Sequence, residues 1–341
     1  MLKKLIIISV VIACVGNASA QQEQQYSQYM VNGFVINPAR AGTEDFVDLK
    51  LGYRNQWTGY QAGPTSTPTD RALSPRTIYL SGHSNIAHHG TGAGHSNRGK
   101  QATRHGIGGY IYDDQTFPIG RTGVYGAYAF NIPLNQYTRL SLGSFLGFKR
   151  FRVNHNNWDP FDPVEEDDLL LSGGTQSKIV PDGSLGAFLY SDYYFIGASL
   201  FQIFGGRILD QFSSTQEIEG RLARHYFITG GLRLPVSSDL TIIPSFALKV
   251  NSPAPVSIDA NVMAQYGDLY FVGASARFGS ENGDSFTVLG GITLWERFDV
   301  SYSYDITVSD LRSFHSGSHE VVLGYRIKHP YHIDCPGRKW H

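Results

Sequence analysis

The sequence has 341 residues, with 28 Lys and Arg against 29 Asp and Glu, a formal net charge of -1, 13% aromatic residues and 38 Gly. A near-neutral, Gly- and Tyr-rich chain offers no basic surface for nucleic acid. After residue 20 it contains no run of about 18 apolar residues, which excludes helical membrane spans. At 37.7 kDa, composition alone accommodates either one barrel or one or two soluble β-domains.

In chain order, Lys3 and Lys4 form a basic start, Leu5 to Val15 an apolar stretch too short to span a membrane, and Ala18-Ser19-Ala20 an A-x-A cleavage site. Cys14 raises the lipoprotein alternative, but the A-x-A site fits better. Residues 1–20 therefore read as a secretion signal, and the mature chain begins at Gln21. Only Cys335 then remains, which leaves no intramolecular disulfide and no Cys-based metal site.

The rest of the chain alternates apolar and polar residues. Val256, Ile258, Ala260 and Val262 share one parity, as do Phe298, Val300, Tyr302, Tyr304, Ile306 and Val308, with polar residues between most of them. That is the period of a strand with one apolar face. About fourteen such segments occur, near 46–57, 76–86, 105–113, 121–132, 137–150, 183–190, 193–202, 223–235, 239–250, 256–266, 269–278, 285–295, 297–308 and 318–328. Following a secretion signal, they predict an all-β fold, an antiparallel transmembrane β-barrel over residues 46–328 in a bacterial outer membrane.

Connection lengths supply a second argument. Short links fall at Ile132–Gln136, Ser191–Asp192, Val236–Ser238, Gly267–Asp268 and Glu296–Arg297, each at an even-to-odd junction. Long links fall at Thr58–Pro75, Arg152–Asp182, Ile203–Leu222 and Ser309–Gly317. Bacterial barrels keep short turns in the periplasm, so this parity places both termini there. The Ala87–Arg104 link is the exception: it should be a short turn, yet it is long, Gly-rich and basic. It is either a periplasmic contact surface or an insertion.

Face assignment follows from charge, because a charge against lipid at the midplane costs about 2–4 kcal/mol. Glu320, Arg326 and Lys328 must then face the lumen, with His319, Val321, Leu323, Tyr325 and Ile327 outside. In the first strand Val47, Leu49, Leu51, Tyr53 and Trp57 point outward, and Asp48, Lys50, Arg54 and Gln56 inward. The lumen would also hold Asp259, Asp299 and Asp305, neutralised by pairing across the bore. Such side chains can fill a bore, so an open channel does not follow.

Two groups of motifs are more specific than a barrel requires. The N-terminal group is Tyr26-Ser27-Gln28-Tyr29-Met30, Asn37-Pro38-Ala39, Ala41-Gly42 and Tyr53-Arg54-Asn55-Gln56-Trp57. The C-terminal group is Tyr302-Ser303-Tyr304-Asp305, Ser309-Asp310-Leu311 and Gly317-Ser318-His319-Glu320 leading into Val321-Val322-Leu323-Gly324-Tyr325. Together they closely resemble the PorP/SprF family, outer-membrane proteins of the type IX secretion and gliding systems of Bacteroidota. Between them the chain matches only in its barrel pattern. Two departures stand out: His315-Ser316 precede Gly317 where the family more often has a second Gly, and residues 329–341 continue past the last strand as a periplasmic tail.

The resemblance implies a barrel without enzymatic chemistry that works beside the secretion machinery. Its partners would be outer-membrane lipid, periplasmic ring components, a peptidoglycan-associated lipoprotein and the C-terminal targeting domain of a large adhesin. Tyr26, Gln28, Tyr29, Met30, Asn37, Pro38, Ala39, Gly42, Arg54, Gln56, Trp57, Asp305, Ser318, His319 and Glu320 are the motif positions expected to matter for partners or structure. Pro38 disfavours helix at Asn37 and makes Asn37-Pro38 a turn initiator. Residues 21–45 are expected to be a periplasmic arm: either a plug or docking element, or a cover for the barrel seam. Glu320 is a candidate to pair with Arg54 where the last strand meets the first.

Other signals carry less. His83, His88, His89, His95 and His105 match no ligand spacing, and the tail's His329, His332 and His341 with Cys335 offer a soft metal an adventitious site or a functional one. Asp159, Asp162, Glu165, Glu166, Asp167 and Asp168 lie in the longest external loop, where carboxylates either hold calcium or are simply solvated. No Gly-x-Ser-x-Gly elbow or phosphate loop occurs, and no cofactor is expected. The alternative function is a passive porin for small solutes, which needs an open lumen and no dedicated partner.

Overall fold

The computed structural model describes residues 24–60, 74–86, 103–116, 119–154, 175–205, 222–251, 255–279, 284–308 and 310–328. Its first half contains β1 (Phe46–Asn55), β2 (Arg76–Ile86), β3 (Arg104–Thr116), β4 (Ile119–Pro133), β5 (Thr138–Asn154), β6 (Thr175–Ser191) and β7 (Tyr194–Phe201). The second half contains β8 (His225–Leu232), β9 (Leu234–Pro235), β10 (Leu240–Asn251), β11 (Ser257–Tyr266), β12 (Tyr270–Phe278), β13 (Ser285–Leu294), β14 (Phe298–Thr307) and β15 (Ser318–Lys328). The short β9 continues β8 past Arg233, and both pair with β10, so the wall has fourteen staves. Each stave pairs antiparallel with the next, β10 pairs with β11, and β15 pairs back onto β1. The sheet is closed and has no free edge.

The alternation sets which way each stave faces. In β1, Asp48, Lys50 and Arg54 are buried while Leu49, Leu51 and Tyr53 are exposed; in β15, Ser318, Glu320 and Val322 are buried while Val321, Leu323 and Ile327 are exposed. This is an inverted globule, with polar residues inside and apolar residues outside, as lipid requires. At the end of the barrel with the short turns, Tyr137, Tyr193, Tyr194, Tyr266, Tyr270, Trp295 and Phe298 form an exposed aromatic ring. Rings that are apolar in body and polar at the tip suit the interface between lipid and water.

Four corrections to the sequence reading follow. First, β3 runs to Thr116 and β4 starts at Ile119, so this odd-to-even connection is as short as the turns at the other end. The length expected of the link lies in the strands instead. Second, β6 begins at Thr175, eight residues before the alternation that marks it, and β5 reaches Asn154. At the ends away from the short turns, polar and charged residues interrupt the outward apolar row (Arg150, Arg152 and Ser177) while Phe151 and Val180 are apolar and buried, so the lipid-facing signal is lost while the ladder continues.

Third, Gln56 and Trp57 lie beyond β1. Trp57 has φ +53°, which breaks the alternation, and its ring packs near Tyr60 and His315. Fourth, lumenal charges pair along the wall and not across the bore. Arg326 bonds Asp299 at 2.6 Å, Arg277 bonds Asp259 at 2.9 Å, and Asp48 pairs with Lys50 on the same strand. Adjacent strands lie only about 4.8 Å apart, and the middle of the lumen is occupied. The signal at 1–20, His88, His89 and His95, the acidic run 162–168 and the tail 329–341 lie outside the described residues.

Leu51 sits mid-strand on the outer face. Leu51→Arg is expected to destabilise the barrel by about 2–4 kcal/mol. Urea unfolding in lipid vesicles, followed by the loss of heat-modifiable gel migration, measures the shift.

Candidate functional site

Residues 24–45 lie inside the ring of strands. Tyr26, Ser27, Gln28, Tyr29, Asn32, Phe34, Asn37, Ala39 and Ala41 are all buried. Two short 3-10 turns, Gly33–Ile36 and Pro38–Arg40, shape the segment. Asn37 joins them in an extended conformation. Its Oδ1 accepts from the Ala39 N–H at 3.0 Å, and Pro38 follows at the first turn position, where no N–H is needed. The Asn37 Nδ2 donates outward to the Ala187 carbonyl at 3.1 Å, fixing the turn to β6.

The wall makes room for this turn with glycine. A Cβ at Gly143 would stand 2.6 Å from the Ala39 Cα, and one at Gly186 would stand 2.1 Å from the Asn37 Oδ1. Gly42 ends the turn at φ +67°, a region that disfavours other residues.

At the other end of the arm, Ser27 meets the first and last strands. Arg54 on β1 is the register partner of Glu320 on β15. Its guanidinium donates to Glu320 Oε2 at 3.2 Å, Asp305 Oδ2 at 2.7 Å and Ser27 Oγ at 2.7 Å. The Ser27 N–H donates to Glu320 Oε2 at 2.8 Å, and its hydroxyl donates to Asp305 at 2.6 Å. Gln28 donates to the Glu320 carbonyl at 2.8 Å and accepts from Ser301 at 2.6 Å. Glu320, Asp305 and Arg54 are nearly inaccessible, so the carboxylates are held by the guanidinium and by the arm together.

Further contacts run around the circumference. Tyr26 hydrogen-bonds Tyr110 and packs edge-on against Tyr79, Asn32 donates to Ser81 at 2.9 Å, and Asn261 donates to Tyr29. Burial in the lumen pushes both Tyr26 and Tyr29 phenols up, so they stay protonated as hydrogen-bonding groups. Ser199 donates to the Ile36 carbonyl at 2.6 Å, and Arg277 donates to Gln25 at 3.2 Å. A cavity of about 30 Å³ remains between Met30, Arg40, Phe195 and Met263, room for about two waters.

The motif residues therefore separate into four places. Tyr26, Gln28, Tyr29, Met30, Asn37, Pro38, Ala39 and Gly42 belong to the lumenal arm, and Arg54, Asp305 and Glu320 to the wall that grips it. Ser318, Gln56 and Trp57 meet at the rim, where the Trp57 N–H donates to the Ser318 hydroxyl at 3.1 Å. His319 faces outward and shares a hydrogen bond with Tyr302 at 2.6 Å.

The sequence reading did not single out Ser27, Asn32, Asn261, Arg277, Gly143 or Gly186 as site residues. A lone Arg at inward parity in the stave 270–278 is a signal for Arg277; nothing distinguishes the two wall glycines from their neighbours. Among the described residues, no group of three or more His, Cys, Asp or Glu is placed to hold a metal ion.

Residues 18–325 match the model of a family described as type IX secretion system membrane protein PorP/SprF. No curated protein matches the chain. Among solved structures, the CymD monoaromatic hydrocarbon channel aligns at TM-score 0.52 and 11% identity, covering 90% of this chain and 94% of that one. The Ralstonia pickettii toluene transporter TbuX aligns at TM-score 0.52 and 9% identity, covering 88% and 93%. At such identities the likeness is one of fold.

Two substitutions separate the two grips on the arm. Arg54→Met leaves two buried carboxylates unpaired and is expected to cost about 3–5 kcal/mol of barrel stability. Gly143→Ala is expected to leave the wall closed but unseat the turn. Limited proteolysis of the folded, heat-modifiable protein should then cut within residues 24–45 faster than in wild type.

Proposed function

The chain belongs to the PorP/SprF family of type IX secretion system membrane proteins, and on that premise we propose that it is a non-enzymatic accessory of the machinery. In this reading it is an outer-membrane barrel closed by its own N-terminal arm, supporting export or surface anchoring of a large adhesin-like substrate. The supporting observation is the seating of the arm. Its polar groups bond to staves all round the wall, from Arg54 and Ser81 through Ala187 and Ser199 to Asn261, Asp305 and Glu320. A passive porin works through a water-filled bore. Here lumenal donors and acceptors on strands around the wall bond the chain's own arm.

The parity of the short turns favours both termini in the periplasm. The ends of the arm and of β15 would then face the ring components and the peptidoglycan-associated lipoprotein. The long links around 152–182 and 203–222 would face the secreted substrate and its C-terminal targeting domain. Among the described residues, the buried carboxylates of the lumen bond buried cations along the wall, which suits a structural role.

Purification from native outer membrane in mild detergent, with mass spectrometry of what accompanies the barrel, tests the reading. The expected result is co-purification of a large adhesin-like chain or of periplasmic ring components. In planar bilayers the wild type should conduct little, and deletion of residues 24–45 should open it. A solitary barrel with a steady large conductance would establish the porin reading instead.

A further inference from the structure

The outward face carries a cluster of arginines at the ends of β2 and β5 away from the short turns. On β5 the outward residues from the short-turn end are Leu140, Leu142, Ser144, Leu146 and Phe148, and then Arg150 and Arg152. The uncharged run from 140 to 148 is nine residues long. That is close to the roughly 9–11 tilted residues that cross the hydrocarbon of a bilayer. Arg150 and Arg152 therefore leave the wall at headgroup level.

Neighbouring staves change character at the same height. Arg152 is level with Gly120 on β4 and Ser177 on β6, and Arg76 on β2 is the register partner of Gln115 on β3. One row lower lie Asp113, Thr122 and Arg150, flanked by the apolar Ile78 and Ile179; one row below that lie Ile111, Val124 and Phe148.

Among the described residues, the polar row is tied together but not neutralised. Arg152 donates to Asp113 at 2.6 Å, and Arg76 donates to Gln115 at 2.8 Å. Gln115 in turn donates to Asp113 at 3.1 Å. Arg150 is exposed and reaches the Ser177 hydroxyl at 3.3 Å. Three guanidiniums thus share one carboxylate. Arg76 and Arg152 stand three strand spacings apart, about 14 Å.

We propose that this row is a binding site for a phosphorylated membrane lipid. The phosphate groups would lie against Arg150, Arg152 and Arg76, and the acyl chains would run down over Phe148, Leu146, Val124 and Ile111. The apolar belt below brings the lipid to the row by geometry alone, and guanidiniums are the side chains best shaped to hold phosphate oxygens. Asp113 is too committed to its neighbours to repel the headgroup: its carboxylate already accepts from Arg152, Gln115 and Thr122.

Native mass spectrometry of the detergent-purified barrel with added diphosphoryl lipid A tests the proposal. The wild type should retain the lipid, and Arg150→Gln/Arg152→Gln should weaken retention about thirtyfold, from about fivefold for each guanidinium. Arg150→Gln alone removes only the Ser177 contact, so about fivefold weakening in a heat-modifiable barrel keeps the test valid if the double variant misfolds. Equal retention by wild type and variants overturns the proposal. So does equal retention of the lipid with its phosphates removed, or displacement of the lipid by inorganic phosphate at comparable concentration, which would make the row a general anion site.

Discussion

A segment of irregular backbone inside a membrane barrel must find a partner for each of its buried polar groups. The arm satisfies part of them in its own turns, as where the Val31 and Asn32 N–H groups donate to the Gln28 carbonyl and the Arg40 N–H to the Asn37 carbonyl. The wall supplies others. The Ile36 carbonyl accepts from Ser199, the Ala41 carbonyl from Asn131, and the Ser27 N–H donates to Glu320. This demand explains why the inward parity is rich in Ser, Thr and Asn, and why a buried glutamate is tolerated at Glu320. Its carboxylate receives an arm N–H that would otherwise be orphaned.

Electrostatics follows the same logic. Arg54 with Asp305 and Glu320 carries one net negative charge, and Lys249 with Arg277 and Asp259 carries one net positive charge. Ser27 bonds into the first cluster, and Gln25 into the second. The start of the arm therefore bridges two groups of opposite excess charge, neither of which is balanced alone. Burying charge unpaired in such surroundings is costly, so the arm, the β1–β15 junction and the β10–β12 wall stabilise one another.

What the sequence made legible was whatever lipid dictates. From β10 to β15 the alternation appears in full, and the strand limits agree within a residue or two of Leu240–Asn251 through Ser318–Lys328. Legibility fails where lipid ends. At the ends of β5 and β6 away from the short turns, Arg150, Arg152 and Ser177 break the outward apolar row, and Pro181 interrupts the pattern within β6, so a strand there reads as loop. Inside the lumen, local sequence shows that Asn37-Pro38 turns the chain. It does not reveal which glycines receive that turn, because the approach of Gly143 and Gly186 is long-range. The Arg54 to Glu320 register could be inferred because barrel closure forces the first strand beside the last.

The staves that seat the arm's turn are also the tall ones. Asn37, Pro38 and Ala39 pack against Gly143 on β5 and Gly186 on β6, strands of 17 residues each, where β7 and β8 have eight. A stave needs only about 9–11 residues to cross the hydrocarbon. The surplus carries the wall beyond the apolar belt on this side alone, and its outer face bears the Arg150 and Arg152 row. Two constraints thus act on the same strands from opposite faces: the arm's backbone requires close approach inside, and the lipid headgroups meet fixed positive charge outside. A shift of β5 by one residue would turn Gly143 outward and Arg150 inward. The register that admits the arm is therefore the same register that presents the arginines to the membrane surface.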